Sequence, residues 1–366
     1  MCSEVSMKSH IIRKVSFLLL SSIIFYSCSS TNILDKVYPT LQDGKYDSEF
    51  PYRNSSEQLE EISNTIKLIN TIAFYTSYIF PDDSHYYRRD LSRIEFPKTA
   101  SREVFFNRTA SGTATVIEAS PNEVVLLTVS HVVSFPDTIV SYFVNPDGST
   151  SNYVQSISIK TRESHYVPDL PENPEFEIIT NDQNLDIALL GYHFKTFERT
   201  SMQVFSYPWG NSSELEWGSF VYVFGFPMNY KMVTKGIVSK SSKDKNTFLI
   251  DAGFDKGSSG GMVLAVRDGV PNFEFVGLVR SVPAEYELSL RPFAKENEID
   301  FNPMIPYKGQ SYVDKTQVFK TGIIKVIAVE TIKNFIHDSE KKILEKGYSL
   351  NNFISGPTKL IHSFND

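Results

Sequence analysis

Three residues of this chain have the types and the order needed for catalysis by a serine nucleophile. Ser259 lies in the glycine-rich run 257–261. Upstream of it, His131 closes an apolar run and Asp186 opens an aliphatic one. A serine hydroxyl is a weak nucleophile at neutral pH, so it needs a base within hydrogen-bonding distance and a group that fixes the tautomer of that base. His131 is therefore the candidate base, and Asp186 is the candidate group that orients it.

The glycines around Ser259 predict an oxyanion site. Backbone N–H groups aimed at a developing negative charge stabilise the tetrahedral intermediate of acyl transfer, and glycine lets the backbone come close at such a turn. We expect the N–H groups of Gly257 and Ser259 to supply this site. Ser259, and not Ser258, is the candidate nucleophile because the glycine pair 260–261 follows it directly.

Each of these features also has an ordinary structural explanation. The glycine-rich run could be a plain β-turn, His131 could be a structural histidine at a strand end, and Asp186 could cap a turn. Asp182 is a further candidate acid, but it lies in a polar turn outside the aliphatic run. The three main candidates occur in one order and each within its own apolar frame. This combination favours a catalytic triad over three unrelated structural roles.

Other kinds of chemistry find little support in the sequence. No histidine or cysteine cluster has the spacing of metal ligands, and no glycine-rich phosphate loop is present. We therefore expect no cofactor and no metal. The pair Arg88 and Arg89, next to Tyr86 and Tyr87, could form a binding patch, although a solvated loop is the favoured interpretation.

The composition and the residue patterns predict an all-β body with a sizeable core. Of 366 residues, 41% are apolar and 13% aromatic, which allows one long domain or two ordinary ones. From residue 71 onward, short apolar, β-branched and aromatic runs alternate with turn clusters. We predict twelve strands, at 72–79, 112–118, 123–129, 138–144, 153–160, 186–192, 219–224, 232–240, 247–251, 261–266, 273–280 and 322–328.

Two helices are predicted. Ser55 and Gln58 form a candidate capping box ahead of apolar residues at helical spacing, which predicts a helix over 56–69. A mostly amphipathic helix is predicted over 331–346, with Gly347 as its C-terminal cap residue. The apolar positions of this second helix are Ile332, Phe335, Ile336, Ile343 and Leu344.

The N-terminal residues 1–27 are similar to a secretory signal. A basic region precedes an apolar stretch at 15–26, which is too short to span a bilayer comfortably. Cys28 follows a small residue, as in a bacterial lipobox, although Phe25 stands where such motifs usually carry Leu, Val or Ile. We expect Cys28 to become the lipidated first residue, with an ordinary signal peptide and an incidental cysteine as the alternative. The polar residues 28–54 would then tether the folded body.

Charge and cysteine content argue against a nucleic-acid-binding protein and against a protein stabilised by disulfides. Loss of residues 1–27 removes three basic residues and one acidic residue, so the formal net charge would change from −7 to −9. An acidic protein is a poor candidate for nucleic-acid binding, which depends on neutralising phosphates. Cys2 and Cys28 are the two cysteines of the sequence, so the mature chain would hold no disulfide and would depend on packing alone.

The order of His131, Asp186 and Ser259 resembles that of the chymotrypsin-like serine proteases, and the chain is most similar to their bacterial HtrA/Deg branch. The absence of disulfides argues against the secreted animal trypsins. Together with the triad strings, the resemblance covers roughly residues 70–346. The other motifs that carry it are individually weak: 111–116 (SGTATV), 224–227 (FGFP), 234–239 (TKGIVS), 250–252 (IDA), 276–279 (VGLV) and 322–328 (GIIKVIA).

This resemblance implies a fold and a division of the chain. The expected fold is all-β: two six-stranded antiparallel β-barrels with the active site in the cleft between them, a C-terminal α-helix and a short N-terminal helix. Residues 55–348 would form the protease domain, and residues 349–366 a C-terminal tail. Segments 145–185 and 284–318 are longer than the simplest family members need, so we expect surface insertions there. Too few residues follow the last helix for the family's PDZ domain, so substrate selection is expected within the protease body.

The resemblance also implies how a substrate binds. An extended peptide would pair with the strand 276–282, at Leu278 and Val279. Gly253, six residues before the nucleophile, lies near where trypsin-like enzymes place the floor of the specificity pocket. Because it is not an acid, a preference for small or apolar side chains over Lys and Arg is expected. Ser258 departs from the family's usual Asn, a small polar change that should leave the N–H geometry intact.

Two rival functions stay open from the sequence. A catalytically inactive protein could keep the barrel scaffold for surface binding or adhesion, and a serine esterase could use a triad on small esters. The intact set of His131, Asp186 and Ser259 favours an exported serine endopeptidase over both. This enzyme would act on proteins or peptides. It would be anchored to a membrane through lipid on Cys28, in the periplasm or at the cell surface.

Overall fold

The chain is described here from a computed structural model, which covers most of the sequence between Asp43 and Ser355. The predicted signal sequence 1–27 and Cys28 lie outside the described residues. The described residues are 43–49, 51, 53–145, 148–170, 174–194, 202–239, 246–253, 256–281, 284–292, 304, 309, 311–319 and 322–355.

The first barrel is formed by the N-terminal half of the chain. Its strands are β1 (Ile66–Ile79), β2 (Arg102–Ala119), β3 (Glu123–Thr128), β4 (Thr138–Val144), β5 (Thr150–Tyr166), β6 (Glu175–Asp182) and β7 (Ile187–His193). They form one antiparallel sheet in the order β1-β2-β3-β7-β6-β5-β4. Strand β1 also pairs with β5, so six strands close a ring and β4 lies outside it.

The second barrel is formed by the C-terminal half. Its strands are β8 (Phe220–Gly225), β9 (Met232–Ser239), β10 (Thr247–Ala252), β11 (Met262–Val266), β12 (Phe273–Ser281) and β15 (Ile324–Ala328). They close into an antiparallel barrel in the order β10-β15-β12-β11-β8-β9. The predicted pair of six-stranded barrels is therefore confirmed.

One prediction about the first barrel is wrong. Segment 145–185 is not a surface insertion, because β5 and β6 within it are members of the closed ring. The predicted strands do not include β6, which begins with only one apolar residue, Phe176, between the charged Glu175 and Glu177. In segment 284–318, by contrast, β13 (Ala284–Pro292) pairs with β14 (Ser311–Phe319) in a separate two-stranded sheet.

The N-terminal helix α1 (Ser56–Thr65) is shorter than the predicted helix over 56–69. From Ile66 the chain becomes extended, because the β-branched residues Ile66 and Ile69 pair with β2 in the barrel wall. The predicted capping box is also absent. The Ser55 side chain forms no cap hydrogen bond, and Asn54 Oδ1 accepts the Ser56 N–H at 3.0 Å instead.

Two short helices, α2 (Phe96–Thr99) and α3 (Ser130–Val133), lie along the first barrel sequence. The C-terminal helix is confirmed as α4 (Val329–Glu345). Its buried face packs on β6 of the first barrel and on β12 and β15 of the second, so it joins the two barrels. Gly347 has a φ of 82°, and its N–H donates to the Leu344 carbonyl at 3.0 Å. It is therefore the C-terminal cap residue that the sequence predicts. Leu344 differs from the prediction, since it is 61% exposed.

Both ends of the described chain pack on the barrels. Residues 43–49 were predicted to belong to a polar tether, yet Tyr46 is buried and its hydroxyl donates to Glu274 at 2.6 Å. Near the C-terminus, the carbonyl of Phe353 in α5 (Asn351–Ser355) accepts the Trp209 Nε1–H at 2.8 Å. These parts of the predicted tether and tail therefore belong to the folded body. None of the described helices is long and apolar enough to cross a membrane.

Candidate active site

His131 and Asp186 are in direct contact in the first barrel. His131 lies in the short helix α3 (Ser130–Val133), which follows β3, and Asp186 lies just before β7, the strand that pairs with β3. The His131 ring Nδ1 is 2.9 Å from Asp186 Oδ2 and 3.0 Å from Oδ1. The His131 backbone N–H also donates to Oδ1, at 2.9 Å. One carboxylate thus fixes both the start of α3 and the plane of the imidazole.

The backbone at Asp186 is held in an uncommon conformation. Its φ of 63° is in the left-handed region, which a non-glycine residue adopts only where the surroundings impose it. Asp182 helps to impose it, because its Oδ1 accepts the N–H groups of Asn184 and Leu185 at 2.8 and 2.9 Å. Asp182 is therefore a turn residue beside the site, and Asp186, which is only 6% exposed, is the acid on the histidine.

The loop that carries Ser259 belongs to the second barrel but is fastened to the first. The Thr113 hydroxyl, on β2, donates to the Gly257 carbonyl at 2.8 Å. It also accepts the N–H of Phe226 at 3.0 Å. In addition, the Thr113 N–H donates to the Ser259 carbonyl at 2.8 Å. The nucleophile loop and the histidine-bearing barrel therefore share a direct set of hydrogen bonds.

Gly112 shows how closely Ser259 approaches the helix of His131. A Cβ built on Gly112 would lie 2.7 Å from the Val132 side chain and 3.0 Å from the Ser259 carbonyl. A single glycine of β2 thus separates α3 from the nucleophile loop. Among the described residues, no hydrogen bond joins the Ser259 hydroxyl to the His131 ring. The structure thus brings His131 and Asp186 into direct contact and places the loop of Ser259 next to α3.

The glycines after Ser259 are required by close packing. Gly260 has a φ of 83°, and a Cβ there would overlap the Thr113 carbonyl oxygen. Its N–H donates to the Val279 carbonyl, and the Val279 N–H donates to the Gly261 carbonyl, both at 2.8 Å. Ser259 is therefore held between β2 on one side and β12 on the other.

The predicted oxyanion donors, the N–H groups of Gly257 and Ser259, are not bonded to other described groups. The Lys256 carbonyl accepts the Met228 N–H at 2.8 Å. Because the two groups of a trans peptide point in opposite directions, this bond turns the Gly257 N–H away from Met228. Within the described part of the chain, both N–H groups are therefore free to bind an anion.

Of the predicted substrate-binding residues, Leu278 and Val279 are fully buried and Gly253 is exposed. Leu278 pairs with β11 and with β15. Val279 pairs with β15, and its other edge is bonded to Gly260 and Gly261. Leu278 and Val279 cannot pair with a substrate, because both edges of the strand are occupied there. Gly253 is exposed at the end of β10, and a Cβ built on it meets nothing within 4 Å.

Arg280, at the end of β12, is a site residue that the sequence analysis missed. Its Nε donates to Asp186 Oδ2 at 3.3 Å, and its Nη2 donates to the Asn184 carbonyl at 3.3 Å. An arginine in a strand has no motif of its own, and its partner is 94 positions away in the sequence. The carboxylate thus lies between an imidazole and a guanidinium.

The remaining candidates lie apart from this chemistry. Arg88 and Arg89 are exposed and line an open groove of about 590 Å³ together with Tyr87 and Tyr142, whereas Tyr86 packs against Phe80. In the described ranges, no group of three or more His, Cys, Asp or Glu side chains could hold a metal ion.

Comparison with known proteins gives one family and a set of structural matches. The family model described as a trypsin-like peptidase domain matches residues 112–277, a span that includes His131, Asp186 and Ser259. No curated protein matches the chain. Among solved structures, a thermostable serine protease, AL20, from an extremophilic microorganism matches with 10% identity and a TM-score of 0.36, over 73% of this chain and 96% of that one. The family match supports a trypsin-like peptidase over residues 112–277.

Proposed function

We propose that the protein is a serine endopeptidase in which His131, Asp186 and Ser259 form the catalytic triad. The observation that carries the proposal is the contact between the His131 ring and Asp186 at 2.9 Å, next to a nucleophile loop fastened to the same barrel. A structural histidine would not require a neighbouring serine loop whose N–H groups are left free.

The carboxylate decides which nitrogen of His131 carries the proton. A carboxylate accepts hydrogen bonds, so Nδ1 is the protonated nitrogen and Nε2 keeps its lone pair. Nε2 is then the atom that removes a proton from Ser259. The His131 side chain is 46% exposed, so a substrate can reach this edge of the ring. The Ser259 hydroxyl and Nε2 would close to about 3 Å in the substrate complex, since such contacts are often looser in the free enzyme.

The reaction follows from these positions in two halves. Ser259 Oγ bonds to the scissile carbonyl carbon while His131 takes its proton. The imidazolium then gives this proton to the leaving amine as the C–N bond breaks, which leaves an acyl-enzyme. Water, deprotonated by His131, attacks the acyl carbon, and the proton returns to Ser259 Oγ as the carboxylic acid leaves. The negative oxygen of each tetrahedral intermediate would accept hydrogen bonds from the N–H groups of Gly257 and Ser259. Each of these hydrogen bonds would raise the rate by about 10²–10³.

An extended peptide would bind beside the end of β12. The pairing of β11 with β12 ends at Leu278, and residues 260–261 occupy the backbone of Val279. Beyond that point, Arg280 and Ser281 offer the strand edge that faces the nucleophile loop. We therefore propose that the substrate pairs with the strand only at its last residues, Arg280 and Ser281. Gly253 would lie at the pocket that receives the side chain before the scissile bond.

Labelling with a fluorophosphonate probe tests the proposal. Wild-type protein should be labelled and should cleave casein, and Ser259→Ala should do neither. Ser141→Ala is the matched control, because Ser141 is an exposed serine of β4, and it should be labelled like wild type. A wild-type protein that is folded but neither labelled nor proteolytic would contradict the proposal and support the inactive binding scaffold. Turnover of small esters without casein cleavage would instead support an esterase.

We further propose that the enzyme belongs with the HtrA/Deg-like branch and is exported and anchored through lipid on Cys28. The support is the sequence of residues 1–28 and the branch-like strings named above. In a bacterial host, wild-type protein should be found in the membrane fraction and should incorporate labelled fatty acid. Cys28→Ala should incorporate none. Equal incorporation in both forms would refute the assignment of Cys28.

A further inference from the structure

The second barrel contributes a cation to the catalytic acid of the first. We propose that Arg280 is a positioning residue that holds Asp186 and extends the activity of the enzyme to lower pH. The inference rests on the proposed function, because it concerns the base of that triad. It is carried by the contact between Arg280 Nε and Asp186 Oδ2 at 3.3 Å.

The carboxylate of Asp186 is shared between two partners with different charge behaviour. Oδ1 accepts the backbone N–H of His131, and both carboxylate oxygens lie within 3.0 Å of Nδ1 of that ring. Oδ2 also accepts from Arg280. A guanidinium remains charged throughout the pH range of a protease. Asp186 is therefore balanced by one positive charge even when the imidazole is neutral.

Arg280 also restrains the loop that presents Asp186. Its Nη2 donates to the Asn184 carbonyl, two residues before the strained φ of Asp186. Together with the bonds that Asp182 makes to the same turn, this fixes the turn from both sides. Because Arg280 is on β12, the turn of the first barrel is tied to the strand that borders the nucleophile loop.

The electrostatic effect has a definite sign. During the reaction His131 becomes a cation, and Arg280 Nε bonds Oδ2 of Asp186, the same oxygen that lies 2.9 Å from the His131 ring. A like charge nearby disfavours the imidazolium. The pair is partly shielded from water, since the Arg280 side chain is 27% exposed and that of Asp186 is 9% exposed. Arg280 therefore opposes the positive charge on His131 that Asp186 favours.

The other charged groups around α3 are engaged elsewhere. On the β5 side, Glu163 accepts the Phe135 N–H at 2.8 Å and forms an ion pair with Lys160. On β2, the Arg108 guanidinium lies 5.7 Å from the centre of the Phe135 ring. From β6 and its turn, Asp182 bonds the backbone of residues 184–185. Within the described part of the chain, Asp186 is the charged group in contact with the His131 ring.

The test compares two replacements of Arg280 by the pH dependence of kcat/KM. Arg280→Gln removes the charge, and the midpoint of its acid limb should move up by about 0.5–1 pH unit relative to wild type, as expected for a partly shielded charge at this range. Arg280→Lys keeps the charge but loses the planar guanidinium that donates to both Asp186 and Asn184. The midpoint of its acid limb should therefore equal that of wild type, while kcat/KM at the optimum falls about tenfold. Arg162→Gln, which removes an exposed arginine paired with Glu175, should match wild type in both respects.

A second measurement works without turnover. In the Ser259→Ala background, the ring of His131 is followed by NMR as a function of pH, with Arg or Gln at position 280. The titration midpoint should again be higher with Gln. Equal midpoints with Arg and Gln would overturn the inference, whether or not the protein cleaves peptides. Failure of the fluorophosphonate test with a clear NMR shift would refute only the protease function.

Discussion

The hydroxyl of Thr113 in the first barrel and the carbonyl of Gly257 in the second are joined by a hydrogen bond of 2.8 Å. The same hydroxyl accepts the N–H of Phe226, and Thr113 is fully buried. One side chain therefore satisfies two backbone groups on the far side of the barrel interface. Because Gly257 is a proposed oxyanion donor, this bond connects the fold directly to the proposed chemistry.

Replacing Thr113 by valine tests that connection. Valine has nearly the same shape but no hydroxyl, so the Gly257 carbonyl and the Phe226 N–H would be buried without a partner. Each such group costs about 1–3 kcal/mol. Because two groups are affected, Thr113→Val should lower the free energy of unfolding by about 2–6 kcal/mol in a denaturant titration. It should also lower kcat, whereas Thr113→Ser should stay close to wild type. Equal stability of the two variants would show that the bond contributes nothing.

Gly257→Ala should abolish most activity without unfolding the protein. Gly257 has a φ of 97°, and a Cβ there would overlap the Phe226 carbonyl oxygen, so the peptide that carries the oxyanion N–H must shift. The loss of one oxyanion donor costs about 10²–10³ in kcat. Gly218→Ala is the matched control, because Gly218 also has a positive φ, of 89°, but no atom within 4 Å of its Cβ position.

The two glycine variants separate the effect of a positive φ, which both positions share, from that of the steric overlap with Phe226, which occurs only at Gly257. Both should lose some stability, because alanine disfavours a positive φ. Only Gly257→Ala should lose kcat, measured with a peptide substrate at saturating concentration. If Gly218→Ala loses as much kcat as Gly257→Ala, the backbone at Gly257 has no special role in catalysis.

The barrels were predictable where the residue pattern is local. Strand β4 has the predicted bounds, 138–144, because it is a short run of β-branched and aromatic residues between clear turns. The predicted number of twelve barrel strands is correct only because two errors cancel. The prediction counts β4, which lies outside the ring, and omits β6, which lies within it. The pairing of β1 with β5, which closes the first barrel, joins residues far apart in the sequence and has no local signal.

The candidate catalytic residues could be predicted from the sequence, but the residues that hold them in place could not. His131, Asp186 and Ser259 stand out because each interrupts a recognisable pattern. Thr113 and Arg280 are ordinary strand residues, and what distinguishes them is the partner that folding brings to them. The helix over 56–69 ended early for a similar reason, since pairing with β2 outweighed the helical spacing of its isoleucines.

His165 predicts that acidification destabilises the first barrel. It is 4% exposed, lies opposite Thr71 where β1 pairs with β5, and its Nδ1 is 3.1 Å from the Thr71 hydroxyl. Burial lowers the pKa of His165. Below about pH 6.5, the usual value for histidine, the unfolded chain therefore binds a proton that the folded chain resists. Stability should fall with pH from there, by up to about 1.4 kcal/mol per pH unit, until the folded protein also binds the proton.

The measurement is the difference between wild type and His165→Gln in melting temperature at pH 7.5 and 5.5. The melting temperature of wild type should fall more over this interval. Asp47 acts in the opposite sense, because burial raises its pKa to about 6 and the folded protein then gains a proton as the pH falls. It is present in both forms and cancels in the comparison. His85→Gln, at an exposed histidine, should keep the full dependence of wild type, and an equal fall in all three forms would exclude His165 as the cause.

Gly253→Asp should change the side-chain preference of the enzyme. Wild type should prefer small or apolar residues before the scissile bond, because the predicted pocket floor at Gly253 carries no charge. The position has room for a side chain, since a Cβ there meets no atom within 4 Å. Aspartate should therefore raise the ratio of kcat/KM for Arg to that for Ala by about tenfold, equal to about 1.4 kcal/mol, in a peptide panel that varies this residue alone. Gly253→Asn adds nearly the same volume without charge and should leave the ratio unchanged. A strong preference of wild type for Arg, or the same ratio in both variants, would mean that Gly253 does not lie at the pocket floor.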